Sequence, residues 1–370
     1  MTVASARLIR ARDSAVHGLG PDELSRRARS GALVRLRRGS YVETSTWVAL
    51  SPRARQELMF QVAAEAYGMR LPLWGRSSAL LHGLPLKNTP GQDWNDPTHL
   101  LGSAASGGRS KNGIVHHRPD GRVRQIVGIN GLPCSDVVNT AIDLAVDQEF
   151  AWAVAAMDRL LNPRVLSGMA GTGSWDVSES AQTGPVPSAR PSQGWALPEE
   201  TSEPITTTEA PTQPRDRDAA YRLIAQIGNA TRRRKLQAVL DFADPGGYLP
   251  GESLSRVAMH RYGFPQPELQ ARFSDRAGLI GYTDFHWRSL GVVGEFDGRE
   301  KYVKPEYLKG RSPSEVVVAE KLREDRLRRL GLTVVRWVWA DLEHPVRLEG
   351  LLRQAGLPQT ARAEWNLPRT

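Results

Sequence analysis

The sequence predicts an α/β chain of the α+β kind in two folded parts, and three observations carry that prediction. Capped, amphipathic helical segments alternate with short runs rich in β-branched and aromatic residues. Residues 166–216, which include "ESAQTGPVPSARPSQGWALPEETSEPITTTEAPTQPRD", are rich in Pro, Ser, Thr and Gly and lack apolar periodicity. Such a stretch cannot repay the entropy of ordering, so it reads as a disordered linker. The strand-like run "GVVGEFDGREKY", residues 291–302, places two acids, Glu295 and Asp297, on one face of a strand end. Like charges that close repel each other and must be offset by a cation or by arginines.

The remaining boundaries follow from these marks: residues 1–50 and 51–165 before the linker, and 217–350 after it. No apolar run among the 370 residues approaches membrane-spanning length, so no membrane partner is expected. The opening "MTVASARLIRARDSAVHGLG" has no continuous apolar region of the kind a secretory signal needs. Cys134 is the single cysteine, which excludes an internal disulfide and a cysteine-based zinc site; it reads as a small buried side chain in a cytoplasmic protein. A net charge of +9 favours polyanionic partners through counterion release.

In "GPDELSRRARSGALVRLRRGSYV", residues 20–42, Pro21, Asp22 and Glu23 suit a helix start and Gly31 a stop. Two β-type runs follow, "ALVRL" and "SYV", joined through Arg37, Arg38 and Gly39. A short helix followed by an arginine-tipped hairpin is the pattern of a winged helix-turn-helix. Arg26, Arg27 and Arg29 fall on the helix and Arg35, Arg37 and Arg38 on the wing, where they would reach phosphates and base edges of DNA. Helices are expected at "PRARQELMFQVAAEAYG" and "SSALLHG", with His82 as a helix C-terminal residue. Strands are expected around "THLLG", "GIVHHR" and "RQIVGINGLPCS", and helices at "SDVVNTAIDLAVD" and "EFAWAVAAMDRLL". His116 and His117, adjacent on a strand, point to opposite faces and are not expected to share an ion.

This part resembles the abortive-infection type IV antitoxin (AbiEi) family, through "SGALVRLRRGSYV", "RSSALLHGLPL" and "GLPCSDVVNTAIDLA". The resemblance covers roughly residues 5–165. It implies a bacterial winged helix that represses its own operon, a second α/β domain with antitoxin function, and a cognate toxin as partner.

After the linker, "RDAAYRLIAQIGNATRRRKLQAVLDFAD" reads as a helix pair or a helix broken at Gly228. A helix opens at Glu252, strands follow at "PELQARF", "GLIGYTDFHW" and "LGVVGEFDGREKY", and a helix at "SPSEVVVAEKLREDRLRRLG" carries a capping box from Ser312 to Glu315. "TVVRWVWADL" reads as a strand buried on both faces, with Trp337 and Trp339 in the core.

This order resembles the PD-(D/E)xK nuclease superfamily, most closely the uncharacterised group similar to very-short-patch-repair endonucleases, on "YTDFHW", "VGEFDGREKY", "AEKLREDRLRRLG" and "VVRWVWADL". The resemblance implies a restriction-endonuclease-like mixed sheet flanked by helices. It makes Asp284 and Glu295 ligands of Mg²⁺ and Glu252 the assisting acid, with the ion polarising a phosphodiester and activating water. The superfamily's lysine, two residues after the second acid, is replaced by Asp297, and Lys301 or Lys321 would have to reach in. The expected function is a DNA-binding protein of toxin–antitoxin type with a nuclease-like domain that hydrolyses phosphodiesters. The alternative pairs Glu295 and Asp297 with Arg299, Arg323 or Arg336 and leaves a repressor whose nuclease fold serves only for interaction.

Overall fold

A computed structural model describes residues 8–14, 20–87, 97–102, 113–162, 217–247, 249–297, 313–361 and 365. These form a mixed α/β architecture of helices with several small sheets, divided into two compact units. Among the described residues no helix is long and apolar enough to cross a membrane.

The first unit opens with β1 (Ile9–Arg10), α1 (Ala11–Ser14) and α2 (Pro21–Arg29), then β2 (Leu33–Arg37) and β3 (Ser40–Glu43). The three strands make an antiparallel sheet in the order β1-β3-β2. Pro21 stands in the first turn of α2 with Asp22 and Glu23, which favour the positive end of the helix dipole. The helix stops where Gly31 takes φ +81° and the Ala32 N–H closes on Arg27 O at 3.0 Å, a Schellman arrangement that suits glycine. Leu24, Leu33 and Tyr41 bury the inner face of helix and hairpin. α3 (Thr44–Ala49) and α4 (Pro52–Ala66) follow, α4 being capped by Ser51 Oγ, which accepts from Ala54 N–H at 3.2 Å.

α5 (Gly75–Leu81) ends at His82, as its sequence position suggests, with Nε2 placed 2.8 Å from Ser135 O. β4 (Thr98–Leu101) and β5 (Ile114–His117) run parallel, and β6 (Ile126–Ile129) and β7 (Leu132–Ser135) form a hairpin. The core beneath them joins Phe60, Leu73, Leu100, Ile114 and Cys134. Burial pushes the Cys134 thiol up to about 12, in keeping with a packing role. α6 (Val137–Asp147) is capped by Asp136, and α8 (Arg217–Ala225) packs on it.

The second unit takes α7 (Phe150–Leu161), the end of α9 (Ala230–Phe242) from Ala238 onward, and everything after it. α7, although it precedes residues 163–216, packs on α10 (Pro250–Arg261) of this unit. Next come β8 (Glu268–Asp275), β9 (Gly278–Trp287), β10 (Val292–Asp297), α11 (Pro313–Arg329) and β11 (Thr333–Val338), and then α12 (Trp339–Glu343) and α13 (Pro345–Gln354). The sheet order is β11-β10-β9-β8, with β8, β9 and β10 antiparallel and β11 parallel to β10. α10 approaches β10 so closely that a Cβ on Gly251 would lie 2.0 Å from the Phe296 ring. Only glycine fits there.

β11 departs from the expectation of a strand buried on both faces. It lies at the sheet edge, where Val335 and Trp337 point inward and Thr333 and Val338 are exposed. The strand also stops earlier than its β-type composition suggests, because Val338 N–H donates to Asp341 Oδ2 at 3.0 Å and starts α12. Trp337 is core, at 1% exposure, whereas Trp339 is half-buried.

Candidate functional site

The acid site is assembled on four strands and two helices of the second unit. Alternation along β10 sends Glu295 and Asp297 to one face, and the parallel register sets Arg336 of β11 directly opposite Glu295. The β9–β10 ladder runs to Gly294 opposite Phe285; beyond that point Asp284 Oδ2 accepts the Phe296 N–H at 2.9 Å. Asp284 thereby holds the end of the strand that carries Glu295. Gln270 on β8 adopts a left-handed φ of +51°, uncommon for a non-glycine residue. Its amide nitrogen stands 3.4 Å from Glu252 Oε2 and 3.5 Å from Asp284 Oδ1. Glu252, in the first turn of α10, is buried.

Two guanidinium groups take up Glu295. Arg323 of α11 donates to Oε1 through Nη1 at 2.6 Å and Nη2 at 2.5 Å, and its Nη2 also reaches Tyr282 O at 2.8 Å. Arg336 meets Glu295 Oε2 at 2.8 Å and Asp297 Oδ2 at 3.0 Å, and it also contacts Glu320 at 2.6 Å and Glu324 at 3.1 Å. Burial pushes the Glu295 carboxyl up to about 7; Arg323 and Arg336 pull it down, and Glu320 and Asp284 add to the rise. Burial opposes the charge on Arg336, yet Glu295, Glu320 and Asp297 together raise its pKa. The two partners thus pull in opposite senses. With Arg323 hydrogen bonds on Oε1 and the Arg336 ion pair on Oε2, the ionised carboxylate is the state that the geometry supports.

The structure therefore brings Glu295 and Asp297 together with Arg323 and Arg336, and Glu252 with Asp284 through Gln270. Lys301 and Arg299 lie outside the described residues, and Lys321 is exposed on α11. Gln270 escaped the sequence reading, because nothing in "PELQARF" signals a left-handed residue in a strand. Carboxylate oxygens suit Mg²⁺ in kind. Among the described residues, however, no three His, Cys, Asp or Glu side chains are placed to hold an ion. Guanidinium groups cover both Glu295 oxygens, and an amide stands between Glu252 and Asp284. The side chains as they stand do not fit a bound ion.

The arginines of α2 and the β2–β3 hairpin divide into two sets. Arg26, Arg27 and Arg29 on α2, and Arg35 and Arg38 on the β2–β3 hairpin, are exposed. Arg26 and Arg27 both pair with Glu23; such exposed pairs are worth little and yield readily to a phosphate. Arg37 differs from the wing residue expected. The β2–β3 register shifts between Arg35 and Arg37, and Arg37 is half-buried, its Nη1 covered and without a hydrogen-bond partner among the described residues. Its charge acts, after burial, to lower the pKa of His116.

His116 and His117 do face opposite ways. His116 Nε2 lies 3.0 Å from Tyr67 Oη, while His117 Nε2 lies 2.8 Å from His99 Nδ1. Burial brings His99 down to about 4, with His117 and Arg76 adding to the effect, so the pair is neutral near pH 7.

No family model matches the chain, and no solved structure does. Two uncharacterised proteins of Mycobacterium tuberculosis, from strains CDC 1551 / Oshkosh and ATCC 25618 / H37Rv, are each 28% identical to it over 143 residues. The match covers 35% of this chain and 49% of each relative, so the chain spans about half the length of the curated relatives it matches.

Proposed function

We propose that this is a DNA-binding protein of the toxin–antitoxin type, with a winged helix in its first unit and, in its second, a nuclease-like fold used for interaction. The observation that carries this reading is the pairing of Glu295 with Arg323 and Arg336, which neutralises from within one of the two acids that a nuclease would use on an ion. Exposed arginines on α2 and the β2–β3 hairpin support the DNA contact. The element order α10-β8-β9-β10-α11-β11 supports the likeness to the PD-(D/E)xK superfamily, and the AbiEi resemblance supports a cognate toxin as partner. The test is fluorescence anisotropy of the full chain on labelled duplex DNA at rising salt. Binding whose log K falls linearly with log salt is expected. An absence of binding at about 50 mM salt, where phosphate contacts are strongest, would reject the reading.

A second reading, Mg²⁺-dependent phosphodiester hydrolysis, is favoured by the positions of Asp284 and Glu295 on neighbouring strands with Glu252 close to Asp284 through Gln270. It predicts saturable Mg²⁺ or Mn²⁺ binding in calorimetry on the full chain, abolished by Asp284→Ala and accompanied by plasmid cleavage. Heat absent up to millimolar ion would remove it.

A further inference from the structure

We infer that the corner joining α8 to α9 is a second phosphate-contacting surface, in which Arg222, Arg232 and Arg234 hold the backbone of duplex DNA separately from the arginines of α2 and the β2–β3 hairpin. The inference rests on the DNA-binding reading above and adds to it a second place where the duplex is held.

Positive charge is concentrated here. Residues 217–237 carry six Arg and Lys side chains and one acid, Asp218, a net +5 of the chain's +9. Residues 20–43, which span α2 and the hairpin, carry six arginines against three acids, a net +3. The larger excess therefore lies outside the winged helix. Two of the cations fasten the corner. Lys235 Nζ donates to Val146 O at 2.7 Å and to Gln148 O at 3.0 Å, at the end of α6, and Arg233 Nη1 donates to Ile227 O at 2.7 Å. Ile224, Ile227 and Leu236 are buried beneath, and Gln226 Oε1 accepts the Val123 N–H at 3.0 Å.

The other three are available. Arg222, Arg232 and Arg234 are exposed, and among the described residues their side chains have no ion pair or hydrogen bond. The positive end of a helix dipole favours acids, yet the first turn of α9 has none and holds Arg232 and Arg233, with Arg234 next. Consecutive arginines also repel one another. A polyanion relieves both costs, and each guanidinium fork matches the oxygens of a phosphate. Contacts of this kind read no base edge, so they act alike on duplexes of any sequence.

The test is fluorescence anisotropy of the full chain on two labelled duplexes of unrelated sequence across a salt series, with folding checked by circular dichroism. Arg222→Ala, Arg232→Ala and Arg234→Ala together should lower the slope of log K against log salt by about 2–3, equally on both duplexes. Alanine is a strong helix former and the three sites are exposed, so the variant should fold. Lysine at the same three positions, which keeps the charge, should hold the slope near wild type. A charge-matched control on exposed arginines of the second unit, Arg276→Ala, Arg329→Ala and Arg347→Ala, should leave it unchanged. The inference falls, and DNA binding stands, if the alanine variant keeps the wild-type slope, or if the lysine variant or the control loses as much as the alanine variant does. A wild type that binds neither duplex at about 50 mM salt removes the DNA-binding reading and the inference together.

Discussion

Asp158→Ala should cost the second unit about 3–5 kcal/mol, the range seen when one partner of a buried ion pair is removed. Asp158 lies on α7 with 1% of its side chain exposed, and its Oδ2 accepts from Arg256 Nη1 at 2.9 Å and Ser253 Oγ at 2.7 Å. Its Oδ1 accepts from Asp244 N–H at 2.7 Å. Truncation strands the Arg256 guanidinium, 3% exposed, with Phe242 O and the Phe242 ring as its remaining company. A buried unpaired cation is what makes the loss large. Asp158→Asn, which keeps the shape and part of the hydrogen bonding, should cost less than the alanine. Urea unfolding followed by tryptophan fluorescence measures both. A loss below about 1 kcal/mol for Asp158→Ala, within the range of an exposed pair, would show that the network contributes no more than surface charges do.

Replacing Arg26, Arg27, Arg35 and Arg38 together with alanine should flatten the salt dependence of DNA binding. Each lost phosphate contact lowers the slope of log K against log salt by about 0.9, so a change of roughly 2–4 is expected. Arg37→Ala should leave the slope unchanged, because Arg37, at the end of β2, is half-buried and its Nη1 is covered. Anisotropy at four or five salt concentrations separates the two variants. A slope equal to wild type in the fourfold variant would move the DNA contact away from α2 and the hairpin. A slope lowered by Arg37→Ala would restore that residue to the interface.

Much of the local structure could be read from residue chemistry. Pro21, Asp22 and Glu23 start α2, Gly31 ends it, and Gly228 falls in the break between α8 and α9. In the second unit the succession of a helix, three strands, a helix and a strand is visible as changes of period. What escaped depends on contacts between distant residues. Arg336 meets Asp297 only because β10 and β11 pair in parallel, in a register that neither strand carries alone. The left-handed Gln270 and the displaced Arg37 are backbone events inside otherwise ordinary strand patterns. Trp339 followed a strong β-type run, yet one hydrogen bond from Val338 N–H to Asp341 turned the chain into a helix.

The assignment of α7 to the second unit and of α8 to the first bears on how this chain can be divided. Residues 163–216 invite a cut, but severing there would strip α10 of a helix that lies upstream and strip α6 of one that lies downstream. The chain is threaded like a buckle whose tongue and frame each come from both sides of the strap. Either half produced alone would leave an apolar helix face bare, and the two halves added together would rebuild what neither has.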